Sequence, residues 1–163
     1  MNLDRLVEFT KSWEGLRLHA YLCPAAIPTI GYGATGADIR LGLVWTPEQA
    51  EERLRNDLAR SVADVCRLCP NIVLDEGKMI AVADFCFNLG EGRLAGSTLR
   101  RRIAKRDWLG AAAQFPKWVR AGAQVLPGLV VRREAERRLF LSSSPSNPTT
   151  VTHPVDPPPF TAP

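Results

Sequence analysis

The stretch 76–89, EGKMIAVADFCFNL, is apolar on nearly every side when it is drawn as a helix. A helix without a polar face has to be enclosed by other parts of the chain, because apolar surface left in water costs free energy. The sequence therefore predicts a central helix around which the remaining elements pack. A chain of 163 residues is long enough for one such domain with its own core, and too short for two large ones.

A longer helix with a single apolar face is predicted before the central one. The segment TPEQ at 46–49 has the features of a helix start, with a Thr N-cap, Pro in the first turn and Gln at the capping-box position. Apolar residues then recur every three or four positions, and Pro70 ends the pattern, which comprises Ala50, Leu54, Leu58, Val62, Val65 and Cys69. Shorter helices are predicted around 98–105, 108–115 and 128–141, with Asp107 as the N-cap of the second.

The N-terminal part of the chain changes character twice. Residues 2–13 have helical spacing, and Gly15 follows as a helix stop, which places Glu14 at the C-terminal end of this helix. Residues 16–45 are rich in Tyr, Ile, Thr, Val and Gly, with prolines that break any helix, and predict an antiparallel hairpin sheet. The order of helix, small sheet, long helix and helical lobe predicts an α+β fold, with a cleft where the sheet meets the helices.

Three residues with useful chemistry fall around this predicted cleft. Glu14 ends the first helix, whereas Cys23 and Thr29 lie within the hairpin, just before the run IGYG at 30–33. A sheet folded back over the end of a helix can bring an acid, a thiol and a hydroxyl together. The sequence therefore singles out Glu14, Cys23 and Thr29 as candidate catalytic residues.

The spacing Glu-x8-Cys-x5-Thr followed by IGYG closely resembles the catalytic signature of phage-type lysozymes, glycoside hydrolase family 24, in which Asp or Cys occupies the second position. The resemblance covers roughly residues 1–141 and continues in the blocks ADFCFNLG, STL, FPKW, VLPGLV and RRE. It implies a lysozyme-like fold, with a small N-terminal hairpin sheet, a long connecting helix and a mostly helical C-terminal lobe. It also implies a cofactor-free, monomeric endolysin that hydrolyses the β-1,4 bond between N-acetylmuramic acid and N-acetylglucosamine in bacterial peptidoglycan and so lyses the host cell.

The resemblance assigns a role to each of the three candidate residues. Glu14 is the expected general acid, with a pKa raised by apolar neighbours and partial burial. Cys23 is the expected base or charge stabiliser for a water molecule on the opposite face of the sugar, and Thr29 the residue that positions this water. A thiol with an ordinary pKa of about 8.5 is a weak base at neutral pH, and an ionised Glu14 nearby would raise that pKa further. A half-buried thiol without a chemical role therefore remains an alternative for Cys23.

Four further residues match family positions near the sugar: Tyr32, Asn88, Thr98 and Arg133. The expected role of Arg133 is to orient Glu14. Two of these residues have structural alternatives, since Asn88 could cap the central helix and Arg133 could be an ordinary surface arginine. The family resemblance also suggests that the reaction inverts the anomeric configuration.

Charge is distributed unevenly along the chain. Residues 1–92 hold 9 Lys and Arg against 13 Asp and Glu, whereas residues 93–141 hold 12 against 3. A basic half predicts an anionic partner, either nucleic acid or the anionic polymers of a bacterial envelope, unless the arginines simply solvate a helical surface. The basic half lacks zinc-finger spacing, a helix-turn-helix signature and interleaved aromatic residues, which favours envelope polymers over nucleic acid.

The remaining predictions concern the location of the protein, the state of its cysteines and its C-terminal tail. The first residues have no apolar core of a signal peptide or anchor, so we expect the protein in the host cytoplasm until it is released to act on the cell wall in the periplasm. The four cysteines are then expected to be free thiols, with Cys66 and Cys69 packed in the core and no metal bound. Residues 142–163, rich in Ser, Thr and Pro, are predicted to be a disordered tail.

Two other classes of function remain open. Replacement of Asp by Cys at the second position could have left a glycan-binding module without turnover, and the basic half could bind nucleic acid. A peptidoglycan digest examined for new reducing ends distinguishes a hydrolase from both.

Overall fold

The computed structural model describes residues 1–142, so the predicted tail lies, apart from Ser142, outside the described residues. In chain order the elements are α1 (Leu3–Lys11), β1 (Arg17–Leu22), β2 (Pro28–Gly31), α2 (Pro47–Leu68), α3 (Glu76–Leu89), α4 (Glu91–Gly96), α5 (Thr98–Ala104), α6 (Trp108–Ala112), β3 (Arg120–Ala121), β4 (Gln124–Val125) and α7 (Pro127–Ser142). Short 3-10 turns occupy Pro70–Ile72 and Phe115–Lys117. The predicted α+β architecture is confirmed. Within the described residues, no helix combines the length and the apolar character that a transmembrane span requires.

Helix α3 is the centre of the molecule, as its sequence predicts. Residues 78–86 of this helix are all buried, and α1, α2, α4 and α7 all contact it. Phe85 packs edge-to-face against Phe115 and Trp118, with ring centroids 5.7 and 5.4 Å away. The contact between α3 and α7 is the most extensive between any two elements, and it places the C-terminal helix alongside the central one.

Helix α2 begins and ends close to where its sequence signals lie. The Thr46 hydroxyl accepts a hydrogen bond from the Gln49 backbone N–H, and the Gln49 side chain accepts one from the Thr46 N–H, which completes the predicted capping box. Cys69 caps the other end and is buried, while Cys66 packs partly buried against the same core. The predicted core packing of both thiols is confirmed.

The predicted hairpin is present as the antiparallel pair β1–β2. Tyr21 lies opposite Thr29 in this pair. The segment before α2 binds to β1 through a hydrogen bond from the Trp45 backbone N–H to the Leu18 carbonyl. Gly31 has a φ of +66°, and an added Cβ would lie 3.0 Å from the Trp45 ring. This turn therefore requires glycine, and it aims the following residues at the cleft.

The structure corrects the predicted end of the first helix and adds elements that were not predicted. Helix α1 ends at Lys11 with Ser12 as its C-cap, because the Ser12 hydroxyl donates back to the Phe9 carbonyl. Glu14 consequently lies in the turn beyond the helix and not at its last residue, and Gly15 is not the stop. Helix α4 and the β3–β4 hairpin are elements that the sequence analysis did not predict.

Candidate active site

A cleft of about 490 Å³ lies between the hairpin, α2 and the C-terminal end of α3. This is the place predicted from the order of the elements. The residues that line it include Glu14, Tyr32, Arg53, Asp57, Asp64 and Asn88.

Glu14 is held half-buried at the edge of this cleft. Its side chain is 22% exposed, and its Oε1 accepts a hydrogen bond of 2.6 Å from Arg132 Nη1. The other oxygen, Oε2, faces Gly33, where an added Cβ would lie 3.9 Å away. One oxygen is thus fixed by a cation, and the second is left for contact with a ligand.

Arg132 is itself fixed by a buried carboxylate. Its Nε and Nη2 each donate a hydrogen bond of 2.9 Å to an oxygen of Asp84, whose side chain is fully buried. The Thr10 hydroxyl donates a further bond of 2.7 Å to Asp84. Burial disfavours the charge on Arg132, but the carboxylates of Asp84 and Glu14 outweigh this effect and raise the pKa of the guanidinium. The sequence analysis did not single out Arg132 or Asp84.

The prediction that Arg133 orients Glu14 is wrong, because the preceding residue makes that contact. Successive side chains of a helix point about 100° apart, so Arg133 turns away from Glu14. It is fully buried, which also excludes a surface arginine, and its Nη2 donates to the Asn88 side chain at 2.5 Å. Asn88 therefore presents a fixed amide to the cleft, and it is not the helix cap, which is Gly90.

Glu136 completes a buried cluster of charged groups. Its Oε2 lies 3.1 Å from Arg133 Nη1, and its Oε1 lies 3.7 Å from Arg132 Nε. Burial raises the pKa of Glu136 well above its ordinary value, although the neighbouring Arg133 opposes the shift. The cluster contains two guanidiniums and three carboxyls, those of Glu14, Asp84 and Glu136. Its net charge is zero when the three carboxyls hold one proton between them.

Cys23 and Thr29 lie beside each other on the hairpin, and neither is among the residues that line the cleft. Thr29 is nearly buried, and its hydroxyl donates 2.9 Å to the Ile27 carbonyl. The backbone amides of Ile27 and then Ala25 lower the pKa of the half-exposed Cys23 thiol, and the Thr29 hydroxyl adds to this effect. The raised pKa expected for Cys23 is wrong, because the tight turn supplies donors that favour the thiolate.

Cys23 is expected to react with iodoacetamide at a lower pH than a free cysteine. Burial raises the pKa of Cys69 to about 11 and that of Cys86 to about 12, so these two thiols should stay unmodified in the folded protein. The rate of alkylation is followed by mass spectrometry against pH in a Cys66→Ser background, which removes the remaining partly exposed thiol. A midpoint at or above that of free cysteine would contradict the stabilised thiolate.

The remaining predicted residues divide between the cleft and the rest of the surface. Tyr32 lines the cleft, with Lys11 Nζ 5.8 Å from its ring centre. Thr98 does not line the cleft: it lies in the first turn of α5, where its hydroxyl accepts a hydrogen bond of 2.7 Å from Arg101. Within residues 1–142, no group of three or more His, Cys, Asp or Glu side chains is arranged to hold a metal ion.

The basic residues of the C-terminal half also fall into two groups. Five are engaged in ion pairs: Arg102, Arg132, Arg133, Arg137 and Arg138. The others make no ion pair within residues 1–142, and these are Arg93, Arg100, Arg101, Lys105, Arg106, Lys117 and Arg120. Seven of the twelve cations of this lobe are thus left without an acidic partner in the described residues.

Comparison with known proteins gives consistent matches in sequence and in fold. The family model described as Phage lysozyme matches residues 11–136. The chain is similar to the endolysin of Acyrthosiphon pisum secondary endosymbiont phage 1, with 39% identity over 137 residues that cover 82% of this chain and 92% of the relative. It is also similar to the endolysin of Bacillus phage B103, with 37% identity over 153 residues, 90% of this chain but 57% of that longer relative. Among solved structures, the muramidase domain of SpmX from Asticaccaulis excentricus superposes with a TM-score of 0.77 at 35% identity, covering 85% of this chain and 95% of that one.

Proposed function

Because the chain belongs to the phage lysozyme family, we propose that it is an endolysin that hydrolyses the β-1,4 bond between N-acetylmuramic acid and N-acetylglucosamine in peptidoglycan. The observation that carries this proposal is the half-buried carboxyl of Glu14, fixed at the cleft by a buried arginine. Hydrolysis of a glycosidic bond needs such an acid to protonate the leaving oxygen.

The geometry favours Oε2 as the oxygen of Glu14 that delivers the proton. Arg132 donates to Oε1, so that oxygen is occupied as an acceptor, while Oε2 faces the cleft beside Gly33. Arg132 also donates to both oxygens of Asp84, so its guanidinium is held in the orientation in which it contacts Glu14.

The hairpin residues are proposed to act on the attacking water. The water would attack the anomeric carbon as the bond to the leaving oxygen breaks, with its own proton passing to the Cys23 thiolate or onward to solvent. The amides of Ile27 and Ala25 favour that thiolate, and Thr29 lies within hydrogen-bonding reach of the thiol. Cys23 would thus serve as base or charge stabiliser and Thr29 as the residue that positions the water.

A digest of purified peptidoglycan tests the proposed bond. The products are reduced with borohydride and separated, and new ends derived from reduced N-acetylmuramic acid are expected. New ends from reduced N-acetylglucosamine would assign the other glycosidic bond. Binding to peptidoglycan without new ends would instead support a glycan-binding module, and proton NMR of the first product formed would give its anomeric configuration.

Substitutions of Cys23 are expected to separate its possible roles. Cys23→Asp should keep or increase activity, because a carboxylate provides the same negative charge, whereas Cys23→Ser should lower kcat/KM by about tenfold or more because a hydroxyl does not ionise near neutral pH. Cys66→Ser is the matched control, since it removes a thiol that packs against the core away from the cleft. A folded but inactive Cys23→Asp variant would refute the role, and a fully active Cys23→Ala variant would leave Cys23 without one.

We also propose a polymer partner, an oligomeric state and a location for the protein. The exposed, unpaired cations of α5 and the following turn, such as Arg101 and Lys105, are suited to the anionic polymers of the bacterial envelope. The protein would act as a monomer on the cell wall after its release from the host cytoplasm, and the loss of host cell integrity would follow from the cut glycan strands.

A further inference from the structure

A groove separate from the cleft lies at the other end of the central helix. It has a volume of about 990 Å³, and it is bordered by the start of α3, the start of α6 and the last turn of α7. None of the residues that line it also lines the cleft. Helix α3 contributes residues 86–88 to the cleft and 76–78 to the groove, so the two are about 15 Å apart along its axis. The groove is therefore not part of the candidate active site.

The lining of this groove contains apolar side chains that are open to solvent. Leu74 and Leu109 are 102% and 77% exposed, the highest values among the large apolar side chains of residues 1–142, and Leu141 is 40% exposed. The rings of Trp108 and Phe140 also line the groove, with their centroids 6.4 Å apart. Apolar surface gathered around a concavity marks a binding surface, because removing it from water is favourable.

The chain itself leads a proline-rich segment away from this groove. Ser142, the last described residue, lines the groove, and residues 143–163 follow it in the sequence. Seven of these 21 residues are Pro, and the segment also contains Val151, Val155 and Phe160. Because the segment is covalently attached at the edge of the groove, its effective concentration there is on the order of millimolar.

The composition of residues 143–163 suits a groove of this kind. Proline-rich segments favour the extended polyproline II conformation, which aromatic-lined grooves bind with little loss of conformational entropy. Such binding needs no apolar core within the segment, so it agrees with a composition that is too polar and proline-rich to fold alone. Charge is complementary as well. Asp156 is the one Asp, Glu, Lys or Arg among residues 143–163, and Arg106, which makes no ion pair within residues 1–142, lines the groove.

We propose that the proline-rich segment 143–163 binds in this groove of its own chain, with its apolar side chains on Leu74, Leu109 and Trp108. The bound segment covers the most exposed apolar side chains of the domain. It also connects the end of α7 to the starts of α3 and α6, and it leaves the cleft open. This inference is independent of the proposed function, because neither the groove nor the segment contains a residue assigned to the reaction.

The test uses the full chain with a nitroxide spin label at position 161, introduced as Thr161→Cys. Cys23→Ser and Cys66→Ser remove the two partly exposed thiols, and the two remaining cysteines are buried. The broadening of each backbone amide NMR signal is measured against the same sample after the label has been reduced. This broadening falls steeply with distance, so it identifies the amides that lie beside the label.

Two double variants of the labelled chain are compared. The groove variant is Leu74→Asp, Leu109→Asp, and the control variant is Leu41→Asp, Val131→Asp. The two control side chains are 55% and 59% exposed, and they line neither the groove nor the cleft. All four positions are exposed, so neither variant removes packing within residues 1–142. Both variants add the same charge.

Amide signals of residues 74–78 and 107–110 should lose intensity by about twofold or more in the labelled chain and in the control variant, because the attached segment is bound most of the time. The groove variant should recover most of that intensity. Equal intensities in the two variants, or no broadening at the groove in the labelled chain, would overturn the proposal. A mixture of nitrogen-15 chains without label and unenriched chains with label should show no broadening. Broadening of the same size in that mixture would assign the groove to the segment of a second copy and would also overturn the proposal.

Discussion

Replacing Glu14 by Gln is expected to lower kcat/KM for peptidoglycan by about 10²–10⁴-fold, because that is the usual contribution of a general acid. The amide keeps the size of the carboxyl, and its oxygen can still accept the hydrogen bond from Arg132 Nη1. It has no titratable proton to give to the leaving oxygen. We expect the free energy of unfolding to change by less than about 1 kcal/mol, because Arg132 retains its two bonds to the buried Asp84.

The matched control for this variant is Glu8→Gln, on the preceding helix. Glu8 is an exposed carboxylate that pairs with Lys11, and it does not line the cleft. Its replacement should change neither lysis nor stability measurably. Activity is measured as release of new reducing ends and stability by urea unfolding. A Glu14→Gln variant that folds and retains activity within a few-fold of wild type would remove Glu14 from the mechanism.

The elements that were predicted correctly have sequence signals that lie within the element itself. The capping box at Thr46 and the unbroken apolar run of α3 each determine a helix locally, so both could be located from sequence. The missed α4 has the sequence EGRLAG, which combines two glycines with no side-chain cap, and packing against α3 is what makes it helical. The β3–β4 hairpin has strands of only two residues, too short to show an alternating pattern.

The site was predicted in part for the same reason. Glu14, Cys23 and Thr29 stand out by spacing, and Tyr32 and Asn88 by their match to family blocks. The partner of Glu14 is 118 positions away along the chain, and choosing Arg132 over Arg133 requires the rotation of α7 about its axis. Asp84 could have been noticed as the one acidic residue in an otherwise apolar helix interior, because a buried carboxylate needs a cation.

Replacing Arg132 by Met is expected to produce the largest loss of stability of any single change considered, about 3–5 kcal/mol at pH 7. Met fills much of the same volume but leaves the fully buried Asp84 without its cation, and Glu136 loses one of its two neighbouring guanidiniums. Activity should fall as well, because Oε1 of Glu14 loses the donor that fixes it. Arg138→Met is the control: the same substitution on the same helix at an exposed residue paired with Glu134 should cost about 0–1 kcal/mol.

The pH dependence of this loss of stability distinguishes an unpaired buried charge from a simple packing defect. Arg132→Met leaves a fully buried carboxyl without its cation, and burial without a cation favours the neutral form of a carboxyl. A carboxyl with a raised folded pKa favours the folded state below its unfolded pKa, and that contribution is lost as pH rises. The difference in unfolding free energy between wild type and Arg132→Met should therefore be smaller near pH 4 than at pH 7, whereas a cavity would cost the same at both.

A second substitution decides whether the buried charge of Asp84 is the cause. In the double variant Arg132→Met, Asp84→Asn, the amide can still accept the hydrogen bond from Thr10 without carrying a charge. We expect it to recover about half or more of the stability lost by Arg132→Met, because an unpaired buried charge costs more than an unpaired buried amide. Lysis should not recover, because Glu14 still lacks its donor. Full recovery of lysis would show that Arg132 acts on the fold alone, and a double variant no more stable than Arg132→Met at pH 7 would show that packing, and not charge, accounts for the loss.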